Sequence, residues 1–320
     1  MRIDTHNHAL PETALDFIRS HSGSGLEISG DVLKSSHFQI HFDSRFSDPR
    51  LKLSELEDLD LNAAVLSVVP MIFGYELQAE VADELSLAAN AGLAEMCAVN
   101  PDRLRWMASV PMQTPERAAW HLSQAREQGC VGVEIATSLV GRYFDDPFFE
   151  PFWAAAEQLS LPVMIHPAYG EESGGFNRFY LRNVIGNLLE TTIAIERLIG
   201  AGTLDRHPGL RVLLVHAGGY FPFQAGRLRH AAKVRAELAD SPPDPWAYRG
   251  QVVVDTITHD VAALRYVVER MGVENVVMGT DIPFDMATPE PMDELRHAVD
   301  DQAVRSIAEN NPARLFGFGN

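Results

Sequence analysis

The chain has 320 residues, 46% of them hydrophobic and 22% charged, the balance of a folded globular protein rather than a disordered or fibrous one. Its 44 acidic against 26 basic residues give a net charge of −18, which disfavours nucleic acid and anionic membrane surfaces as partners but leaves a local cleft free to take a small anionic carboxylate. This length buries a sizeable core unaided, so Cys97 and Cys130, which lack metal or redox spacing, read as buried thiols. The first residues, MRIDTH, do not resemble a signal peptide, and no window approaches the ~18 uninterrupted apolar residues of a membrane span, so the expected location is the cytoplasm.

In chain order, short apolar runs alternate with longer amphipathic segments. The runs lie at residues 2–6, 64–69, 106–111, 131–135, 162–166, 211–216, 252–255 and 275–281. Several are rich in Val and Ile without polar alternation, as parallel strands buried on both faces require. Helical patterns fall between them at 80–94, 115–128, 148–158, 187–199 and 261–270. Eight such units predict one domain over residues 1–320, a (β/α)8 TIM barrel with a long insertion after strand 1 (about 9–55), a second at 168–186, and C-terminal helices. An open doubly wound sheet needs a glycine-rich phosphate loop after an early strand. The only glycine pair at a strand end, Gly218-Gly219, comes late and lacks that spacing.

The chemistry gathers where the strands stop. Strand 1 ends Asp4-Thr5-His6-Asn7-His8, and residues two apart share a face, so His6 and His8 both point to the barrel mouth. Strand 5 ends in His166, strand 6 in His216 and strand 8 in Asp281. All these ends share one rim, where barrel active sites are built. His6, His8, His166 and Asp281 there form a metal site of nitrogen and oxygen ligands, with a position left for water or substrate. His216 is a further polar group beside it. His121 and His297 lie in helical patterns, His207 and His21 in loops, and all four read as structural; His259, just past strand 7, stays open.

In their order, DTHNHALP, IHPAYG, VHAGGYFPFQAGRLRHA, MGTDIPFDM and ENNPARLFG resemble the amidohydrolase superfamily. With MIFGY at 71–75, they most resemble its branch of aminocarboxymuconate-semialdehyde and γ-resorcylate decarboxylases. The resemblance runs from residue 3 to about 317. It implies one divalent metal, Zn²⁺ with Mn²⁺ as the alternative, on His6, His8, His166 and Asp281. His216 would be the catalytic histidine, with Asp281 a second candidate proton donor. Arg227 would contact a substrate carboxylate, delivered to a neighbouring subunit of a homodimer. Arg45 in the insertion would be a second carboxylate contact, without a local motif to anchor it. Tyr75 would be one of the aromatics walling a flat substrate.

Binuclear members of the superfamily bridge two metals with a lysine at or near the end of strand 4. The three lysines here (Lys34, Lys52 and Lys233) lie on no predicted strand, whereas strand 4 ends in Glu134-Ile135-Ala136-Thr137, and a glutamate can also bridge metals. The expected activity is a metal-dependent, non-oxidative decarboxylase (a carbon–carbon lyase) of an aromatic or muconate-type acid. The alternative is a hydrolase of an amide, lactone or vinylogous C–C bond on the same site.

Overall fold

Once side chains above and below a strand are buried, its backbone groups can only bond to neighbouring strands. The computed structural model describes residues 1–21, 25–35, 38–168, 174–239, 241–242 and 244–319. In it the apolar runs become β1 (Ile3–Ala9), β2 (Ala63–Val68), β3 (Leu104–Ala108), β4 (Gly132–Ala136), β5 (Val163–His166), β6 (Val212–Leu214), β7 (Val252–Asp255) and β8 (Val276–Val277). They form one sheet in sequential order with every pair parallel. β8 meets β1 again: the Thr5 N–H donates to the Met278 carbonyl at 2.9 Å, the His8 N–H to Ile282 at 2.8 Å, and the Asp281 N–H to His6 at 2.9 Å. The expected (β/α)8 barrel is the fold.

Helices α1 (Glu12–Ser20), α2 (Pro49–Asp58), α3 (Ala79–Ala98), α4 (Pro115–Glu127), α5 (Glu150–Gln158), α6 (Leu188–Gly200), α7 (Phe221–Val234) and α8 (Val261–Met271) surround it. α9 (Pro291–Ala298), α10 (Asp301–Arg305) and α11 (Asn311–Phe316) follow β8. α3 runs past its predicted end because buried Met96 and Cys97 continue its apolar stripe. The first insertion is structured: α1, a three-stranded antiparallel sheet (Glu27–Ser29, Val32–Lys34, Gln39–His41) and α2, whose start is set by the Asp48 cap and Pro49. Of the second insertion, residues 169–173 lie outside the described set.

Two strands stop earlier than their apolar patterns predict. β6 ends at Leu214 because His216, Ala217, Gly218 and Gly219 all have positive φ (53°, 56°, 78° and 62°), which no strand accommodates. β8 ends at Val277, and Asp281 further on has φ 68°. Both departures re-aim a side chain at the barrel mouth.

Inside the barrel, Ile3, Val65, Met107, Met164, Leu213, Val253 and Val277 form one apolar cluster, which Phe316 and Phe318 of the C-terminal segment join. The larger cluster fills the space between strands and helices. Cys97 and Cys130 are free and buried as expected, and burial pushes both thiols up to about 12. Phe316→Ala removes a buried ring from the end of the barrel opposite the strand termini. Denaturant unfolding is expected to show a loss of about 3–5 kcal/mol, with metal affinity unchanged; a loss below about 1 kcal/mol would contradict this account of the core.

Candidate metal centre and active site

The polar strand ends converge as the sequence predicts. One ligand atom from each of His6, His8, His166 and Asp281 lies within 4.8 Å of the other three, and all four residues are buried. His6 Nε2 and His8 Nε2 are 3.0 Å apart, and Asp281 Oδ1 is 3.5 and 3.1 Å from them. His166 Nε2 and Asp281 Oδ1 are buried and lack hydrogen-bond partners among the described residues. Buried, unpartnered lone pairs aimed at one point are what a cation requires.

The tautomers explain this convergence. His6 Nδ1–H donates to Asp255 Oδ2 at 2.8 Å, His8 Nδ1–H to the Val68 carbonyl at 3.0 Å, and His166 Nδ1–H to the Pro167 carbonyl at 2.8 Å. Each partner can only accept, so each Nδ1 carries a proton, and each Nε2 is left to offer its lone pair to a cation whenever the ring is neutral. Burial lowers the His8 and His166 pKa values, the latter strongly, favouring their neutral, ligating form. Burial also acts to lower that of His6, but the Asp255 hydrogen bond and the Asp281 and Glu134 charges outweigh it and raise it to about 9. Asp281 is held well below the usual carboxylate range: burial opposes this, but the nearby imidazoles of His216, His6 and His8 prevail.

Asp255 is the functional residue that sequence reading missed. It is fully buried at the end of β7, and its carboxylate also accepts the N–H groups of His216 (3.0 Å), Ala217 (2.7 Å) and Ile257 (3.1 Å). One side chain therefore orients a candidate metal ligand, His6, and fixes the left-handed turn that presents His216. A carboxylate ending an apolar strand was its signal. Glycine is obligatory beside it: a Cβ at Gly219 would stand 2.3 Å from the Leu188 carbonyl oxygen. Asp4 does similar work behind the site, accepting from the His6 N–H, Asn7 Nδ2 and Thr280 Oγ1.

His216 sits beside the four ligands. Its Nε2 is 3.7 Å from Asp281 Oδ2, and its ring centroid is 5.4 Å from that of His6 and 5.3 Å from that of His166. A cavity of about 360 Å³ opens against His216 and Asp281, with mainly apolar walls from α6, α7 and α8, and with Asn183, Asn187, Tyr266 and His259 as polar members. His259 thus belongs to the cavity wall, at φ 55°. Glu134 is buried in the middle of β4, two residues before its end, and stands outside the candidate ligand group; burial raises its pKa well above the ordinary value.

The three substrate-contact candidates are not gathered with these residues. Arg45 is exposed and held by Asp43 through Nε at 3.0 Å and Nη2 at 2.8 Å. Tyr75 is a core residue, its ring stacked on Phe73 (5.6 Å between centroids) and edge-on to Phe144 (6.3 Å). Its sequence neighbours do not reveal that inward rotation. Arg227 is exposed on α7 and does not line the cavity beside its own His216. His121 and His207 have the structural roles expected, paired with Asp83 and with Glu150 and Glu157.

Asp255→Asn would set an amide NH₂ against N–H donors and loosen His6. It is expected to weaken metal binding by about 10–100-fold, read by competition with a chromophoric chelator; wild-type affinity would remove Asp255 from the site. Because the metal-free protein holds a proton on His6 up to about pH 9, metal must displace it. Apparent affinity should therefore rise with pH up to about 9, with proton release at neutral pH measurable by calorimetry in buffers of different ionisation enthalpy.

Comparison with known proteins agrees with this geometry. A family model described as Amidohydrolase matches residues 3–318. The chain is similar to 2-amino-3-carboxymuconate-6-semialdehyde decarboxylase of Dictyostelium discoideum, 31% identical over 99% of this chain and 89% of that one. It is also similar to gamma-resorcylate decarboxylase of Rhodococcus jostii strain RHA1, 31% identical over 84% of each chain. Among solved structures, 5-carboxyvanillate decarboxylase from Sphingomonas paucimobilis superposes with a TM-score of 0.86 at 25% identity, covering 99% of this chain and 98% of that one.

Proposed function

The chain belongs to the amidohydrolase family, and from that membership we propose that it is a metal-dependent, non-oxidative decarboxylase of an aromatic or unsaturated carboxylic acid. The observation that carries the reading is the buried His6, His8, His166 and Asp281 group, with His216 beside it and an apolar cavity in front. Relatives at 31% identity over most of both chains bear the names of decarboxylases of this class. Three imidazoles and one carboxylate suit Zn²⁺, our proposed ion, with Mn²⁺ as the alternative. When bound, the ion supplies positive charge that neutralises a substrate oxygen next to the reacting carbon.

Loss of CO₂ from an unsaturated carbon requires a proton on that carbon, followed by cleavage of the C–C bond, whose electron pair returns to the π system. His216 is the proton carrier in this scheme. Its Nε2 lies 3.7 Å from Asp281 Oδ2, which places the ring beside the candidate ligands and at the cavity mouth. The backbone bonds from His216 and Ala217 to Asp255 keep the ring from swinging away. The apolar cavity walls exclude water from a flat substrate, and His259, Asn183 and Tyr266 offer hydrogen bonds to its substituents.

Carboxylate recognition completes the proposal. Arg227 would enter the cavity of a second copy in a homodimer. Phe223, one turn before it on α7 and 72% exposed, supports that reading. Arg45 would have to exchange Asp43 for substrate, and Tyr75 would act only by supporting the wall from the core. No helix among the described residues is long and apolar enough to cross a membrane, and we propose a cytoplasmic enzyme.

A panel of hydroxybenzoates and muconate-type acids, assayed for CO₂ and for incorporation of ¹⁸O from labelled water, tests the reaction. CO₂ released in equal amount to product, with no label in the organic product, is expected; labelled product without CO₂ would identify a hydrolase instead. His216→Ala should keep its metal and its melting temperature while turnover falls by roughly 10²–10⁴. Near-wild-type turnover in the metal-loaded variant would remove His216 from the mechanism.

A further inference from the structure

A second concave site lies away from the metal centre. Arg229 of α7, Trp246 and Arg249 of the segment before β7, and Arg270 at the end of α8 surround an open cleft of about 290 Å³, with Asp244 and Glu269 on its wall. Three arginines around one hollow run against the chain's overall charge of −18. Their donors are poorly used. Among the described residues, Arg229 reaches only Asp244, at 4.0 Å, and Arg249 makes one long bond, 3.5 Å, to the Arg270 carbonyl. The guanidinium groups of Arg270 and Arg249 lie 4.6 and 5.8 Å from the Trp246 ring centre. Buried Trp246 Nε1–H and Arg270 Nε–H have no acceptor among the described residues, although a buried donor ordinarily finds one. Asp244 instead accepts the Trp246 backbone N–H through Oδ1 at 3.1 Å.

We infer that this cleft binds a small phosphate-class oxyanion, free or as a phosphomonoester, with Arg229, Arg249, Arg270 and the Trp246 indole N–H as its donors. A guanidinium fork matches phosphate oxygens in geometry, and the flexible arginine side chains can turn to meet them. A dianion changes the cleft's charge from +1, three arginines against two carboxylates, to −1, and gives the orphan donors an acceptor. The cleft exceeds the size of phosphate, leaving room for an ester group. The site also bears on the first one. Trp246 packs on Phe221 (5.7 Å between centroids) at the start of α7, and the next residues, Pro222 and Phe223, line the catalytic cavity together with Tyr266 of α8. A bound anion thus bridges two helices that wall the cavity. This inference does not rest on the decarboxylase reading.

The test is calorimetric titration and thermal melting of the metal-loaded protein with inorganic phosphate and with phenyl phosphate, against chloride at equal ionic strength. Saturable binding with a rise in melting temperature is expected for one or both, and the tighter of the two tells the free ion from the ester. Arg270→Gln and Arg229→Gln should each weaken it by about tenfold or more, the effect of one lost charge-assisted hydrogen bond. Arg229 is half-exposed, so its variant decides the matter if Arg270→Gln does not fold. No phosphate-specific effect in the wild type would overturn the inference. So would unchanged binding in the folded variants, which would locate the anion elsewhere, at the metal for instance.

Discussion

Three imidazoles can share one cation only if each turns the same kind of lone pair inward. Here the Nδ1 acceptors impose that condition: a carboxylate on His6 and backbone carbonyls on His8 and His166. Two of the three acceptors belong to the barrel backbone itself, so the tautomers are fixed by the fold before any ion arrives. The third, Asp255, serves both the ligand and the turn bearing His216. The orientation of one candidate ligand and the placement of the proposed acid/base group therefore depend on a single buried side chain.

The surrounding structure is organised around that arrangement. The lower bore is filled with aliphatic side chains and closed by Phe316 and Phe318, which leaves the opposite rim as the place where strand ends remain polar. His216, Ala217 and Asp281 take left-handed backbone conformations there, each unfavourable for a side-chain-bearing residue. Such strain persists because neighbours over-determine it. The Asp255 carboxylate holds the first two, and the β1–β8 backbone bonds hold the third. Gly279 shows how tight the closure is, since a Cβ there would lie 2.9 Å from Asp255 Cβ and 3.0 Å from His6 Cβ.

Much of this was legible in the sequence because its signals are local. Runs of Val, Ile and Leu mark strands buried on both faces, and a polar residue closing such a run marks the rim. That logic found His6, His8, His166, His216 and Asp281. It passed over Asp255 because one carboxylate after Val252–Val254 has no partner nearby in sequence; His6 lies 249 residues away. It also extended β6 and β8 too far, since positive φ at His216 and Asp281 is set by long-range hydrogen bonds rather than by residue type. Tyr75 illustrates the opposite limit: a loop aromatic beside a site is indistinguishable from a core aromatic until packing against Phe73 and Phe144 is known. Arg45 is committed to Asp43, two residues away, a pairing visible in sequence but with no indication of its strength.

The most direct test of the account is anomalous diffraction from crystals of the metal-loaded protein, recorded at the absorption edge of the bound element. One peak per chain is predicted, within coordination distance of the Nε2 atoms of His6, His8 and His166 and of an Asp281 carboxylate oxygen. The Nδ1 atoms should still be bonded to Asp255, Val68 and Pro167. A second peak bridged by Glu134, or an ion held through any Nδ1, would contradict it.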